Sequence, residues 1–387
     1  MPAATAIYQD LTDGLQRDLR VEELVFLAAE RHPDLLPSRA EIAAERTLKQ
    51  AEKRGAELRQ GDFLAALLAD PVTGGHLVRS MLRPRRQSRE RLDELLRSGR
   101  VDLGLATVER KGNVGEVCLR NPEYLNAEDD LATAALEVGV DLVLMDPSIE
   151  VGVLRGAVVD HPRHAGRRVF NAGINLTHLY FGRISFVDFF IARELGLLNK
   201  LYRGLWLEEE WLGPLENTVE KPWIAAVESF AIGGGCQLLL VMDRVLAERG
   251  AYFSLPARRE GIIPGAANLR LSRFLGERAA RQAIMFERSF AADGPDGHLL
   301  CDRVVEREDM DAAIAADAAQ LTSSGVVSAA ANRKALRAAA EPLDLFRSYL
   351  AVYAREQVRC LYSPALIDNL ERNWQASRRR LKERAGT

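Results

Sequence analysis

Up to about residue 100, apolar positions recur every three or four residues in EELVFLAAERHPDLL, RAEIAAERTLKQAEKRGAELRQ, FLAALLADP and GGHLVRSML, with Pro and Gly between the runs. That spacing is one face of an α-helix, and it predicts a helical N-terminal domain over 1–100. From Val101 the period drops to two. VDLGLATVERKGNVGEVCLR alternates on both sides of Lys-Gly-Asn, the pattern of a β-hairpin. VDLVLMDP and GVLRGAVVDHP read as further short strands, KPWIAAVESFAIGGGCQLLLVMD as strand, glycine turn and helix, and RVLAERGAYFS as another strand. Strands alternating with helices predict an α/β core with parallel pairing over 101–310. Helical spacing returns in DMDAAIAADAAQLTSS, AANRKALRAAA and the run from Pro342, so 311–387 is expected to form a C-terminal helical region.

Composition narrows the possible partners. The 387 residues carry 52 Lys+Arg against 55 Asp+Glu, a net charge of −3, with 47% hydrophobic residues. A nucleic-acid partner needs a strongly basic face, and none is expected here. MPAATAIYQDLTDGL has early acids and no apolar h-region, so it does not read as a signal peptide. No run approaches the ~20 apolar residues of a bilayer span. A cytoplasmic chain with reduced thiols and no membrane partner is expected. The four cysteines (Cys118, Cys236, Cys301, Cys360) lie far apart, and His161 and His164 have no further ligands at closed spacing, so no metal site is expected.

Three glycine-bearing stretches and one arginine stand out. In Ala231-Ile232-Gly233-Gly234-Gly235-Cys236-Gln237, consecutive glycines allow close backbone approach, and a helix start offers free N–H groups. Such an end suits a phosphate or an oxyanion, and Cys-Gln stands where a phosphate loop carries Lys-Ser/Thr. A tight strand–helix turn with no ligand is the plainer alternative. Phe170 to Leu176 contains a Gly that breaks an apolar run, and Gly261 to Ala267 is a glycine-bounded turn leading into a helix. On a helix expected near 185–205, Phe186, Phe189, Phe190, Arg193 and Leu197 share one face. An arginine there is paired, serves a ligand, or snorkels to the surface.

Together these stretches resemble the crotonase (enoyl-CoA hydratase/isomerase) superfamily over about 103–307. The matching segments are CLRNPEYLNAEDD, FNAGINL, KPWIAAVESFAIGGGCQLLLVMDRVLA, GIIPGAA, and RFLGERAARQAIMF followed by GHLLCDRVV. The resemblance implies a ββα spiral core, a helical oligomerisation region at the C-terminus and a homo-oligomer, trimer or hexamer. It also implies a CoA thioester as substrate, its carbonyl oxygen held by the N–H groups of Ile174 and Gly234. Gly173, Asn175, Leu176, Gly233 and Gly235, which flank those two donors, are expected to bind the substrate.

Hydratases of that superfamily use two glutamates, and here their positions hold Gln237 and Ala257, neither of which transfers a proton. The pattern resembles a branch of cofactor-independent dioxygenases acting on (3,5-dihydroxyphenyl)acetyl-CoA in glycopeptide-antibiotic pathways. That branch implies an aryl-acetyl-CoA thioester and O2 as substrates, the glyoxylate and CoA as products, and no cofactor. Within it, Gln237 and Arg193 are expected to meet the phenolic hydroxyls and Glu128 to contact substrate. Ala257, Ile262 and Leu176 are expected to form a dry O2 pocket, and Arg163, Arg167 and Arg168 to meet CoA phosphates. A CoA-thioester hydrolase, or an isomerase working through Glu128 or Glu260, is the alternative.

Overall fold

The computed structural model describes residues 2–207, 217–323 and 325–374. The first hundred residues fold as α1 (Pro2–Leu11), α2 (Val21–Arg31), α3 (Arg39–Glu45), α4 (Ala56–Ala69), α5 (Pro71–Ser80) and α6 (Arg86–Ser98). After a short β1 (Arg100–Asp102), the hairpin forms as β2 (Ala106–Lys111) and β3 (Val114–Leu119), paired antiparallel in register Val108 to Val117.

Before β4 (Val151–Gly156) comes α7 (Asp130–Met145), and the VDLVLM run expected as a strand is the last part of this helix. Asp129 caps this helix by accepting from the Ala132 N–H at 3.0 Å, and its residues are buried on nearly every side. A helix apolar all round shows no amphipathic period, and a four-residue apolar run then looks like a strand.

The chain continues through α8 (Leu176–Tyr180) into two π-helical turns, Phe186–Ile191 and Arg193–Leu198, and then α9 (Asn199–Arg203). This segment is also enclosed all round. Phe186, Phe189 and Phe190 join the helical core while Leu197 packs on the sheet side, so they do not share a face as the spacing suggested. Next come β5 (Trp223–Val227), β6 (Phe230–Ile232), α10 (Gly234–Leu239), β7 (Arg244–Glu248) and β8 (Tyr252–Ser254). They are followed by α11 (Ala257–Glu260), α12 (Ala267–Phe286), β9 (Phe290–Ala291) and β10 (Arg303–Val305).

Among the described residues, one sheet has the order β1-β2-β3-β4-β5-β7-β10, parallel from β3 onward, and a smaller one has the order β6-β8-β9. The two sheets and their helices form the α/β spiral expected of the core. The chain closes with α13 (Met310–Thr322), α14 (Val326–Ala340), α15 (Leu343–Leu361) and α16 (Pro364–Asp368). The expected helical region beyond 374 lies outside the described residues.

The two helical ends pack on each other and on the site. α15 lies along α4 so closely that a Cβ on Gly61 would sit 2.2 Å from Val358 Cγ1. One apolar core gathers residues of α1, α2, α4 and α5, the 174–195 segment and α15. Buried charge ties the N-terminal end to the sheet layer. Glu137 on α7 meets Lys200 at 2.7 Å, Arg85 at 2.7 Å and Arg20 at 2.9 Å. Among the described residues no helix is long and apolar enough to cross a membrane.

Candidate active site

The donor pair expected at Ile174 and Gly234 follows from how the backbone is used around it. Gly173 O accepts from Glu128 N at 2.7 Å, and Asn175 N donates to Glu128 O at 2.7 Å, a ladder that steps over the Ile174 N–H. Gly233 N donates to Ser254 O at 2.8 Å, and Gly234 then opens α10, where a first-turn N–H has no partner within the helix. Among the described residues neither N–H has an acceptor. Gly173 is at φ +81°, and a Cβ there would lie 2.8 Å from Ile232 O and 3.2 Å from Gly234 N. Only glycine lets these two stretches of backbone meet. Gly235 is equally tight, a Cβ falling 2.7 Å from Asn171 O.

Arg193 holds this turn from behind. It is 3% exposed, and every one of its guanidinium N–H groups has an acceptor. Nε and Nη2 reach Glu128 at 2.7 and 2.9 Å, Nη2 also reaches Gly234 O at 2.9 Å, and Nη1 meets Gln237 Oε1 at 2.7 Å and Glu194 Oε1 at 3.2 Å. Burial disfavours its charge, but Glu128 first and then Glu194 outweigh that and raise its pKa above the ordinary arginine value.

Arginine only donates, so Gln237 must turn Oε1 toward it, which leaves the amide Nε2 as a donor for a ligand. Glu128 is fully buried, also accepts from Asn171 Nδ2 at 2.8 Å, and lines neither cleft described next. It supports the turn. A phenolic oxygen meeting Arg193 displaces one of the present acceptors, the Glu194 contact being the longest.

A narrow inner cleft opens in front of the donor pair. Ile174, Gly233, Gly234, Gln237, Arg193, Ala257 and Ile262 line it with Phe189, Phe190 and Ile263 of the same stretches, together with residues that no motif marks: Glu194, Leu255 and Tyr353. Of the proposed O2 pocket, Ala257 and Ile262 are here, whereas Leu176 lines, with Asn175, a wider outer cleft that shares Ile174 and Glu260 with the inner one.

Of the three arginines expected at CoA phosphates, Arg163 lines the outer cleft with His161 and His164. Arg167 instead pairs with Glu248 at 2.7 Å, and Arg168 donates to Gly156 O at 3.0 Å. Arg259 and Arg372 line that cleft unannounced by any motif. The described residues contain no group of three or more His, Cys, Asp or Glu arranged to hold a metal ion.

The third glycine turn is clamped from the C-terminal helices. Tyr349 Oη donates to Gly265 O, Ile263 N donates to Gln357 Oε1 at 2.8 Å, and Ala266 N donates to Glu194 Oε2 at 2.9 Å. Gly265, at φ +46°, admits Glu194, since a Cβ there would lie 2.1 Å from Glu194 Oε1. The adjacency of Glu194 to Arg193 was a usable sequence signal. Tyr353 had none, because it reaches the cleft across about 180 residues of intervening chain.

Residues 109–352 match the enoyl-CoA hydratase/isomerase family, and this chain belongs to it. Within that family it is 50% identical over 364 residues, 94% of this chain and 82% of the relative, to a (3,5-dihydroxyphenyl)acetyl-CoA 1,2-dioxygenase of Amycolatopsis orientalis. It is 29% identical over 54% of its length, and 72% of the relative, to a short-chain-enoyl-CoA hydratase of Clostridium acetobutylicum. Solved enoyl-CoA hydratases share the fold. One from Mycobacterium avium subsp. paratuberculosis superposes with a TM-score of 0.57 at 19% identity, covering 70% of this chain and 99% of its own. One from Bacillus halodurans also gives 0.57, at 20% identity over 69% and 99%.

Proposed function

We propose that this protein is a metal- and flavin-independent dioxygenase that converts (3,5-dihydroxyphenyl)acetyl-CoA and O2 to (3,5-dihydroxyphenyl)glyoxylate and CoA, a step toward dihydroxyphenylglycine and the glycopeptide antibiotics built from it. The observation that carries this is a pair of unaccepted backbone N–H groups facing a largely apolar cleft in which both hydratase glutamates are replaced, by Gln237 and Ala257. The half-identical relative supports the same reaction.

Loss of one Cα proton sends the C–H electron pair onto the thioester oxygen, where Ile174 and Gly234 stabilise it. Each such donor contributes roughly 2.7–4 kcal/mol in the transition state. The electron-rich aryl carbanion passes an electron to O2, and recombination forms a peroxide on Cα. The distal peroxide oxygen attacks the thioester carbonyl and expels CoA thiolate. Loss of the second Cα hydrogen as a proton then breaks the O–O bond. Both oxygens end in the α-keto acid, and one of the two protons ends on sulfur. Ala257 and Ile262, with Leu176 at the outer side, give O2 a dry approach. Gln237 Nε2 meets one ring hydroxyl, and Arg193 meets the other by exchanging its longest contact.

In this reading the outer cleft takes the CoA moiety, with Arg163, Arg259 and Arg372 near its phosphates. The protein acts in the cytoplasm as a homo-oligomer, a trimer or hexamer. Exposed Phe274, Met285 and Phe286 on α12 are apolar surface that another copy would cover, which light scattering after size exclusion reads directly.

The decisive measurement is O2 uptake by chelator-treated, flavin-free protein given the thioester. Uptake matched one-to-one by glyoxylate is expected, with glyoxylate formation ceasing under nitrogen. CoA release that continues without O2 would instead identify a thioester hydrolase. Gln237→Glu keeps the acceptor for Arg193 but removes the amide donor and adds a third carboxylate beside Glu128 and Glu194. Oxygen uptake is expected to fall about tenfold, the upper end of what one neutral hydrogen bond contributes. Unchanged uptake would remove Gln237 from the ring contact.

A further inference from the structure

We propose that Glu260 is the base that takes the Cα proton from the thioester, an assignment that rests on the reaction proposed above. Four other residues near the donor pair are excluded, two by their bonding and two by their side-chain chemistry. Glu128 is closed off behind Gly234 by Arg193 and Asn171. Glu194 is held by Arg193 and by the Ala266 N–H. Gln237 and Ala257, at the family's usual positions, have no basic oxygen to offer. The remaining carboxylate on the inner cleft is Glu260, which accepts no hydrogen bond among the described residues and lines both clefts.

Its Oε2 lies 3.9 Å from the point a Cβ on Gly233 would occupy, beside the turn that carries the Gly234 donor. A carbonyl oxygen seated on Ile174 and Gly234 has its α-carbon two bonds away. Glu260 is therefore on the correct wall to accept the proton while the C–H pair moves onto that oxygen. Because it also faces the outer cleft, the protonated carboxyl can return its proton to water there.

The surroundings suit the role. Burial is the largest influence on this carboxyl and raises it to about 7, against the lowering effect of Arg259 and with a smaller raising effect of Glu287. Arg258 and Arg259 both lean on Glu287, at 3.1 and 3.5 Å, rather than on Glu260. On the segment packed against α11, Arg372 pairs with Asp368 at 3.4 Å. Across the inner cleft Arg193 is already matched by Glu128 and Glu194. Among the described residues no cation is therefore fixed on Glu260, and it stays a usable base near neutral pH.

The test is exchange of the α-hydrogens of (3,5-dihydroxyphenyl)acetyl-CoA with deuterated water under nitrogen, read by mass spectrometry. Wild type is expected to exchange them, faster as pH rises through about 7, because the base must be ionised. Glu260→Gln is expected to exchange about 10²-fold or more slowly with no rise near that pH, while calorimetry still finds thioester binding. Wild-type exchange and O2 uptake in Glu260→Gln would overturn the assignment. So would exchange by wild type that is flat from pH 5 to 9, a result that needs no variant to fold, or no exchange by a wild type that consumes O2. A wild type that exchanges the α-hydrogens but consumes no O2 would leave Glu260 in place and sink the dioxygenase reading instead.

Discussion

Arg193→Met is expected to lower folding stability by about 3–5 kcal/mol and to abolish oxygen uptake. The methionine fills a similar volume but leaves Glu128, which is fully buried, with Asn171 as its remaining side-chain partner, strips Gln237 Oε1 of its donor, and leaves the Glu194 carboxylate with the Ala266 N–H but without its cation. Removing one member of a buried ion pair is far worse than never having built it, because the other charge stays out of water. Denaturant unfolding reads the stability change. A double variant, Glu128→Gln with Arg193→Met, should recover part of it, since the Glu128 charge is then gone and only that of Glu194 stays unmatched. Recovery of stability without recovery of turnover would separate the support of the turn from the chemistry in front of it. A loss under about 1 kcal/mol in the single variant would show that Glu128 has another counter-ion.

Gly173→Ala is expected to reduce kcat about 10²- to 10³-fold, the effect of losing one oxyanion donor, with a smaller change in KM. The alanine Cβ would meet Ile232 O at 2.8 Å in a left-handed conformation at φ +81°, so the 171–175 segment must move away from Gly233 and Gly234. The strain itself is of order 1–3 kcal/mol and falls on the turn rather than on a core. Steady-state oxygen uptake at saturating thioester measures it. A kcat within a factor of three of wild type would mean that Ile174 and Gly234 do not act together on the carbonyl.

The alternation that folds as β2 and β3 is legible because one face of each packs inward and the other does not, and the turn into α10 because three consecutive glycines mark it. α7 and the 186–198 segment are misread for the opposite reason: both are enclosed on every side, so no polar stripe marks their period. The donor positions at Ile174 and Gly234 are legible because backbone chemistry depends on local glycines. The shape of the cleft is not, because Tyr353 arrives from α15 and the clamp on Gly265 from Tyr349. Arg193 is a middle case. Its sequence surroundings required a partner, but only the folded chain shows that Glu128, Glu194, Gln237 and Gly234 share it.

α15 begins at Leu343, after the entire spiral has been synthesised, yet it carries Tyr353 and the clamps on the third glycine turn. A nascent chain on the ribosome can thus assemble its two amide donors well before it can close the chamber around them. Clipping by a protease between α14 and α15 should leave a protein that still recognises its ligand but leaks carbanion to bulk water, where a proton recaptures it before oxygen does. Chemical competence would then report that the tail is whole.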